Sequence, residues 1–248
     1  MKFKLEICVD TVESAITAQE SGADRVELCD NLYEGGTTPG PGTIASARNN
    51  LTIAINVIIR PRGGDFLYTD LEYDIMRRDI EYCGELGIDG VVLGILRSNG
   101  EIDIERTARL IEFAQPMSAT FHRAYDMCPD PIKGLENVIS TGAERLLTSG
   151  QKEKAVDGTT LITNLVRKAG KRIIIMPGSG INHSNISTIA RVTNAIEFHT
   201  TARKTIESEM IFRQPGVTMG GVAGSSEFSR KVADADMIRN IIDILKLL

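Results

Sequence analysis

Residues 4–30 read KLEICVDTVESAITAQESGADRVELCD, and this stretch decides the fold. Apolar residues alternate with other residues over Lys4–Asp10 and again over Arg25–Asp30, which predicts two β-strands. Between them, Thr11–Ser21 has the spacing of an amphipathic helix, and Gly22 follows it as a helix stop signal. A strand, a helix and a second strand in so short a segment predict a parallel βαβ unit.

The same rhythm runs through all 248 residues and gives eight such units. Further strands are predicted at Thr52–Arg60, Gly90–Leu96, Ala119–Arg123, Arg145–Ser149, Arg172–Met176 and Ala195–Thr200. Further helices are predicted at Gly42–Asn49, Asp70–Leu86, Ile104–Phe113, Pro131–Ser140, Gly158–Ala169, Ser184–Ala190 and Ser229–Leu247. A chain of this length with eight units predicts an α/β fold, a single-domain (β/α)8 TIM barrel over residues 1–248. A doubly wound open sheet is the rival, but no GxGxxG turn follows the first strand.

Composition and charge narrow the classes of function. The net charge is -5, and no cluster of lysine or arginine offers the surface that nucleic acid or an anionic membrane needs. The first residues enter a strand without an apolar signal segment, and no later run has the length of a membrane span. We therefore expect a cytoplasmic protein with no nucleic-acid or membrane partner. Because no CxxC pair is present, the cysteines are expected as free thiols: Cys8, Cys29, Cys83 and Cys128.

The longest irregular segment is Glu207–Ser226, between the eighth strand and the last helix. A loop of this length is usually functional or disordered. Two interpretations stay open: a mobile cover over the C-terminal face of the barrel, and a plain disordered insertion.

Because side chains alternate across a strand, the residues that face the barrel interior can be identified. With the apolar residues facing the helices, the polar residues that face inward are Glu6, Cys8, Asp10, Glu27, Cys29, Asn56, Arg60, His122, Ser149, Glu197 and His199. A barrel interior is normally packed with branched apolar side chains, so charged groups there must be paired or must serve a site. One interpretation is structural pairing, for example of Glu6 or Glu27 with Arg60. The other is a functional site at the C-terminal ends of the strands.

Two loops at those strand ends suit an anionic ligand. In RPRGGDF, Arg60 and Arg62 stand beside a flexible glycine pair. In PGSG, the N–H groups of Gly178, Ser179 and Gly180 lie where TIM barrels often bind phosphate. The alternatives are a tight turn for PGSG and a solvated surface feature for the arginine pair.

Cys8 and Cys29 lie on neighbouring parallel strands about 4.8 Å apart, so one soft metal ion such as Cu(I) could reach both sulfurs. The alternative is that they are two buried structural thiols. His122 and His199 stand at strand ends and are candidates for acid–base work or for further ligands. No motif for an organic cofactor is evident.

Seven motifs resemble the CutC copper homeostasis family, across nearly the whole chain: EICVD, RVELC, EGGTTP, IRPRGGDFLY, FHRAYD, LTSGQ and MPGSGI. The resemblance implies a (β/α)8 barrel and a cytoplasmic protein that forms a homodimer or a larger homo-oligomer. It also implies an association with copper, and the copper-binding cysteines proposed for the family match Cys8 and Cys29.

Two hypotheses of function remain, beside the alternative of a scaffold whose interior polar groups form only structural pairs. In the first, the protein serves copper homeostasis and binds Cu(I) through the two cysteines, without a need for turnover. In the second, it is an enzyme acting on a small anionic or phosphorylated metabolite, with Glu27 or His122 moving a proton. The residues expected to hold that ligand are Arg60, Arg62, Ser149, Gly178, Ser179, Gly180 and His199.

Overall fold

A computed structural model describes residues 3–217, 219 and 226–248, and in it eight parallel strands curve into a barrel. The strands are β1 (Lys4–Val9), β2 (Arg25–Leu28), β3 (Ala54–Ile58), β4 (Gly90–Leu93), β5 (Ser118–Phe121), β6 (Arg145–Thr148), β7 (Ile174–Pro177) and β8 (Glu197–Thr200). The hydrogen-bonded order is β7-β6-β5-β4-β3-β2-β1-β8, and the end strands β7 and β8 lie beside each other, so the barrel nearly closes. The predicted TIM-barrel fold is confirmed.

Helices follow the strands and pack outside them. They are α1 (Val12–Glu20), α2 (Pro41–Asn50), α3 (Asp70–Glu85), α4 (Ile104–Ala114), α5 (Pro131–Ser140), α6 (Thr159–Ala169), α7 (Ile186–Thr193) and α8 (Ala235–Lys246). Local sequence sets where they begin: the Thr11 side chain caps α1, and Thr69 with Glu72 forms a capping box on α3. These caps satisfy N–H groups at the helix start that have no partner within the helix.

The prediction of one helix over Ser229–Leu247 is wrong in its first part. Residues Ser229–Ala233 form a strand, β10, that pairs antiparallel with β9 (Arg203–Glu207). The Asp234 side chain accepts the N–H groups of Asp236 and Met237, so α8 begins only after it. The local pattern misleads because the pairing partner of β10 lies more than twenty residues earlier in the chain.

The predicted loop 207–226 lies between β9 and β10, and residues 218 and 220–225 of it fall outside the described residues. In the described part, Met210, Ile211 and Phe212 are exposed. Whether this segment covers the barrel stays a prediction.

Two short 3-10 helices stand at the C-terminal ends of the strands and shape the space above the barrel. Leu32–Glu34 follows β2, and Arg123–Met127 follows β5. His122 precedes the second of these and caps it, because its Nδ1 accepts the N–H of Ala124 at 3.3 Å. Loops at this end of a barrel carry the sites of TIM-barrel proteins.

Candidate functional site

The two inward-facing cysteines come together at the end of β1 and β2. Cys8 lies in β1, and Cys29 directly follows β2, with its N–H donating to the Val9 carbonyl at 2.8 Å. Strand register places Cys8 beside Glu27, so Cys29 stands two residues further along. The side chains nevertheless converge, and the two sulfurs are 3.6 Å apart. The predicted approach of the sulfurs is therefore present in the structure.

Gly36 covers the cysteine pair from the loop after β2. Its φ of +94° lies in the left-handed region that favours glycine. A Cβ added there would lie 3.3 Å from the Cys29 sulfur and 3.3 Å from Ile58 Cδ1. Glycine at this position thus lets the main chain lie close over Cys29.

His199 at the end of β8 connects the cysteines to two buried carboxyl groups. Its Nδ1 lies 2.8 Å from Glu6 Oε1, and its Nε2 lies 3.6 Å from Glu27 Oε2. Both His199 and Glu27 lie close enough to Cys8 to lower the pKa of its thiol. A carboxyl oxygen of Glu27 and the sulfurs of Cys8 and Cys29 all lie within 4.8 Å of one another. These three residues are therefore close enough to ligate one metal ion.

The surroundings favour a thiolate at Cys8. The hydrogen bond from Cys29 lowers the pKa of Cys8 most, burial opposes it, and His199 lowers it further, so the pKa falls to about 5. Burial and the neighbouring Cys8 raise the pKa of Cys29 well above its ordinary value. These shifts favour one thiolate and one thiol in the pair at neutral pH.

The ionisable groups around the cysteine pair have pKa values that complement a thiolate at Cys8. Burial acts against the charged form of His199, but hydrogen bonds to Cys8 and Glu6 and the charge of Glu27 hold its pKa well above the ordinary value. Burial, then the negative charge of Cys8, raises the pKa of Glu27. Burial also acts against ionised Glu6, but Arg25 and His199 outweigh it and lower the pKa of Glu6 to about 2. These shifts favour a positive imidazole between an ionised Glu6 and a Cys8 thiolate.

Below this site, the N-terminal end of the barrel interior holds an ion-pair network. Arg25 pairs with Glu6 and, at 3.0 Å, with Glu197; Arg145 lies 2.9 Å from the same Glu197 oxygen. Asn56 donates to Glu6 at 3.2 Å. The expected pairing of Glu6 or Glu27 with Arg60 is wrong, because Glu6 uses Arg25 instead. Arg25 was missed although its even spacing from Glu27 and Cys29 places it on the same face of β2.

Arg60 is buried just beyond β3, at 4% exposure. Its Nη1 donates to the carbonyls of Glu34 and Gly36 at 2.8 and 2.7 Å, and its Nη2 donates to that of Gly64 at 2.7 Å. It holds the loops after β2 and β3 together through main-chain carbonyls.

Arg62 does not join Arg60, and the expected arginine pair is not formed. The side chain of Arg62 pairs with Glu72 at 2.5 Å and with Asp65 at 3.0 Å, and it is 38% exposed. Two carboxylates therefore already neutralise this guanidinium outside the barrel mouth.

The PGSG turn is only partly available to a ligand. The N–H of Gly178 donates to the Thr148 carbonyl at 3.0 Å, and a Cβ added at Gly178 would lie 2.6 Å from Leu147. Glycine there serves close packing. Ser179 Oγ donates to the Glu153 carbonyl at 2.6 Å. Ser179 and Gly180 nevertheless line the cavity at the barrel mouth.

Ser149 belongs to a cluster around Asp126, a residue that sequence reasoning missed and that lines the cavity at the barrel mouth. The carboxylate of Asp126 accepts hydrogen bonds from Thr148, Ser149 and the main chain of Gln151. It also pairs with Arg123 at 2.8 Å. This cluster fixes the loop after β6, so the contacts of Ser149 are with protein groups.

A cavity of about 470 Å³ opens at the C-terminal ends of the strands. Cys8, Glu27 and His199 line it on one side, and Arg60, Phe66 and His122 also line it. The structure thus gathers most of the predicted site residues around one space, with Cys29, Arg62, Ser149 and Gly178 outside its lining. Phe66 was missed because an aromatic residue in a loop carries no periodic signal.

Within the described residues, no helix is both long and apolar enough to cross a membrane.

Comparison with known proteins agrees with this architecture. A sequence model of the CutC family matches residues 3–204. A CutC family protein of Chromobacterium violaceum is 49% identical over 241 residues, which are 97% of this chain and 97% of the relative. The copper homeostasis protein cutC homolog of Homo sapiens is 45% identical over 244 residues, which are 98% of this chain and 89% of the relative.

Solved structures give the same result. The CutC protein of Streptococcus agalactiae superposes with a TM-score of 0.77 and 38% identity, over 80% of this chain and 98% of that chain. Phosphoribosyl anthranilate isomerase of Thermotoga maritima superposes with a TM-score of 0.59 at 15% identity, over 99% of this chain and all of that chain, and shares the fold alone. With a family match over most of its length and relatives above 40% identity, this chain belongs to the CutC family.

Proposed function

We propose that this protein serves copper homeostasis by binding Cu(I) between Cys8 and Cys29. The observation that carries the proposal is the distance of 3.6 Å between the two buried sulfurs. The human relative is named a copper homeostasis protein, which supports the same role. A cytoplasmic location and a homodimer or larger homo-oligomer stay predictions from the family resemblance.

The donor atoms suit a soft ion. A bond between a first-row metal and a thiolate is about 2.3 Å long, so one ion reaches two sulfurs that are up to about 4.6 Å apart. Thiolates select Cu(I) over hard cations, and the lowered pKa of Cys8 favours its thiolate form at neutral pH. Cys29 must lose its proton when the ion binds, so binding releases protons. Glu27 is a weaker third donor, because a carboxyl oxygen is a hard ligand.

An anaerobic Cu(I) titration against a competing chelator tests the proposal. We expect Cys8→Ser and Cys29→Ser each to weaken binding by more than about 100-fold, since each removes a first ligand. Cys128→Ser is the matched control, because this buried thiol lies in the loop after β5 and is expected to leave the affinity unchanged. An unchanged affinity in the Cys8→Ser, Cys29→Ser double variant would contradict the proposal.

The cavity supports a second candidate, an enzyme that acts on a small molecule. A volume of about 470 Å³ far exceeds the space of one metal ion. Glu27 lines this cavity, and its raised pKa keeps a proton available there. The alignment of Glu6, His199 and Cys8 also resembles an activated nucleophile, with a base held by a third group.

Proton transfer by Glu27 would exchange a hydrogen of the substrate with solvent. Incubation with small carboxylates and phosphorylated sugars in deuterated water, followed by proton NMR, would show deuterium uptake. We expect uptake with the wild type and loss of it with Glu27→Gln. Equal uptake with both proteins would remove Glu27 from that role.

A further inference from the structure

One side of the cavity carries a buried positive charge without a carboxylate partner. Among the described residues, no ion pair is formed by Arg60, whose side chain is held by three main-chain carbonyls. Its Nε is buried and has no hydrogen-bond partner. A buried cation is normally paired, because burial removes the water that stabilises its charge. This wall is therefore suited to a negative group.

His122 places a second hydrogen-bond donor on the same wall. Its Nδ1 accepts the N–H of Ala124, so in the neutral ring the hydrogen is on Nε2. Burial, with the charge of Arg60 as second cause, lowers the pKa of His122 to about 3, so the ring is neutral at pH 7. The Nε2 atom is buried without a partner. The N–H that it carries is thus unused.

Phe66 packs against both groups. Its ring centre lies 5.0 Å from the guanidinium carbon of Arg60 and 5.0 Å from the centre of the His122 ring. The main chain of Phe66 is fixed, because its carbonyl accepts the N–H of Leu96 at 2.9 Å.

We propose that the wall formed by Arg60, Phe66 and His122 binds the oxyanion, a carboxylate or a phosphate, of a small ligand in the cavity above Cys8. The oxyanion accepts hydrogen bonds from Arg60 Nε and His122 Nε2 after the Phe66 ring turns away. Arg60 carries a positive charge without an ion-pair partner, so the ligand group that complements it is negative.

The proposal deepens the second candidate function and rests on its premise that the cavity is a ligand site. It does not depend on copper. Arg62, Ser149 and the N–H of Gly178 take no part, because protein groups already satisfy them.

Two variants of His122 separate the donor from its structural role. In His122→Asn, the side-chain oxygen can still accept the Ala124 N–H and cap the short helix, but the donor at the ε position is lost. In His122→Gln, an amide N–H returns near the ε position while the cap is lost. If His122 acts only by capping the helix, His122→Asn should bind the anion like the wild type and His122→Gln should not. If His122 donates to the anion, His122→Gln should bind the anion better than His122→Asn.

The test uses the metal-free full chain, with inorganic phosphate and acetate as probes and chloride at matched ionic strength as reference. Isothermal titration gives the affinity, and the NMR signal of the His122 Nε2 hydrogen reports contact with the anion. We expect at least one probe to bind and to shift that signal. His122→Asn should weaken binding about tenfold or more, and His122→Gln should restore part of it.

Binding of phosphate alone or acetate alone identifies the oxyanion. Binding of neither, or equal affinity in His122→Asn and the wild type, would overturn the proposal. The titration uses metal-free protein, so its result is separate from that of the Cu(I) titration. Anion binding without deuterium exchange would leave the oxyanion site in place and remove only the proton-transfer role of Glu27.

Discussion

The two ends of the barrel interior carry similar residues in different states of pairing. At the N-terminal end, Arg25 contacts Glu6 and Glu197, and Arg145 contacts Glu197 as well. At the C-terminal end, the described structure gives Arg60 no ion pair, and His122 keeps a buried nitrogen without a partner. The charges of the first region are satisfied within the protein, whereas those of the second face a cavity.

This difference distinguishes, within one barrel, buried charges that have a structural role from buried polar groups that are available to a ligand. A buried charge whose partners are all supplied by the protein stabilises and orients its neighbours. A buried polar group that lacks a partner is available to a ligand. Glu6 connects the two regions, since it accepts from Arg25 on one side and holds His199 on the other. The paired end thereby positions the imidazole beside Cys8.

The largest effect is expected from disrupting the ion-pair network at the N-terminal end of the barrel interior. Arg25→Met leaves Glu6 and Glu197 with less compensation for their buried charge, which should lower the free energy of unfolding by about 3–5 kcal/mol. Urea unfolding at pH 7 measures this change. Arg109→Gln is the control, because its pair with Glu105 is exposed and should matter little. A loss no larger than that of the control would mean that the network does not support the barrel.

The next effect concerns the Cys8 thiolate at the C-terminal end of the barrel interior. The pKa of Cys8 is about 5, while burial raises the pKa of Cys83 to about 12 and that of Cys128 to about 11. Absorbance at 240 nm at pH 7 should thus show a thiolate from Cys8 alone, which disappears as the pH falls through about 5.

His199→Asn removes the positive partner of that thiolate, so the absorbance step should move to higher pH. His183→Asn, a change at an exposed histidine, should leave the step in place. A step that stays near pH 5 in His199→Asn would show that the imidazole does not stabilise the thiolate.

The smallest effect is expected at Arg62. Because Glu72 and Asp65 already neutralise it, Arg62→Gln should change phosphate or acetate affinity by less than about twofold. The same isothermal titration that follows His122→Asn measures it. A tenfold loss would return Arg62 to the ligand site and weaken the contrast between paired and unpaired groups.

The sequence predicts the barrel and the inward orientation of the cysteines because both follow from the period of two along a strand. The same period also indicates Arg25, which stands two residues before Glu27, yet an arginine at a strand start is easily assigned to solvent. The start of the last helix could not be predicted locally, since Ser229–Ala233 takes its conformation from pairing with Arg203–Glu207.

The partners of Arg60 and Arg62 could not be predicted from the sequence for a different reason. Both arginines stand in one loop motif, two residues apart. Their environments differ because Arg60 points to carbonyls of the loop after β2, whereas Arg62 meets the first turn of α3. Contacts between loops of separate βα units depend on how the strands close into the barrel, which a linear pattern does not contain.

X-ray absorption spectroscopy of the protein loaded with Cu(I) under anaerobic conditions tests the central claim most directly. We predict that the first shell of the metal contains the sulfurs of both Cys8 and Cys29, and that Cys29→Ser removes one of them. A first shell of nitrogen and oxygen only, or a spectrum that Cys29→Ser leaves unchanged, would contradict the assignment of Cys8 and Cys29 as the copper site.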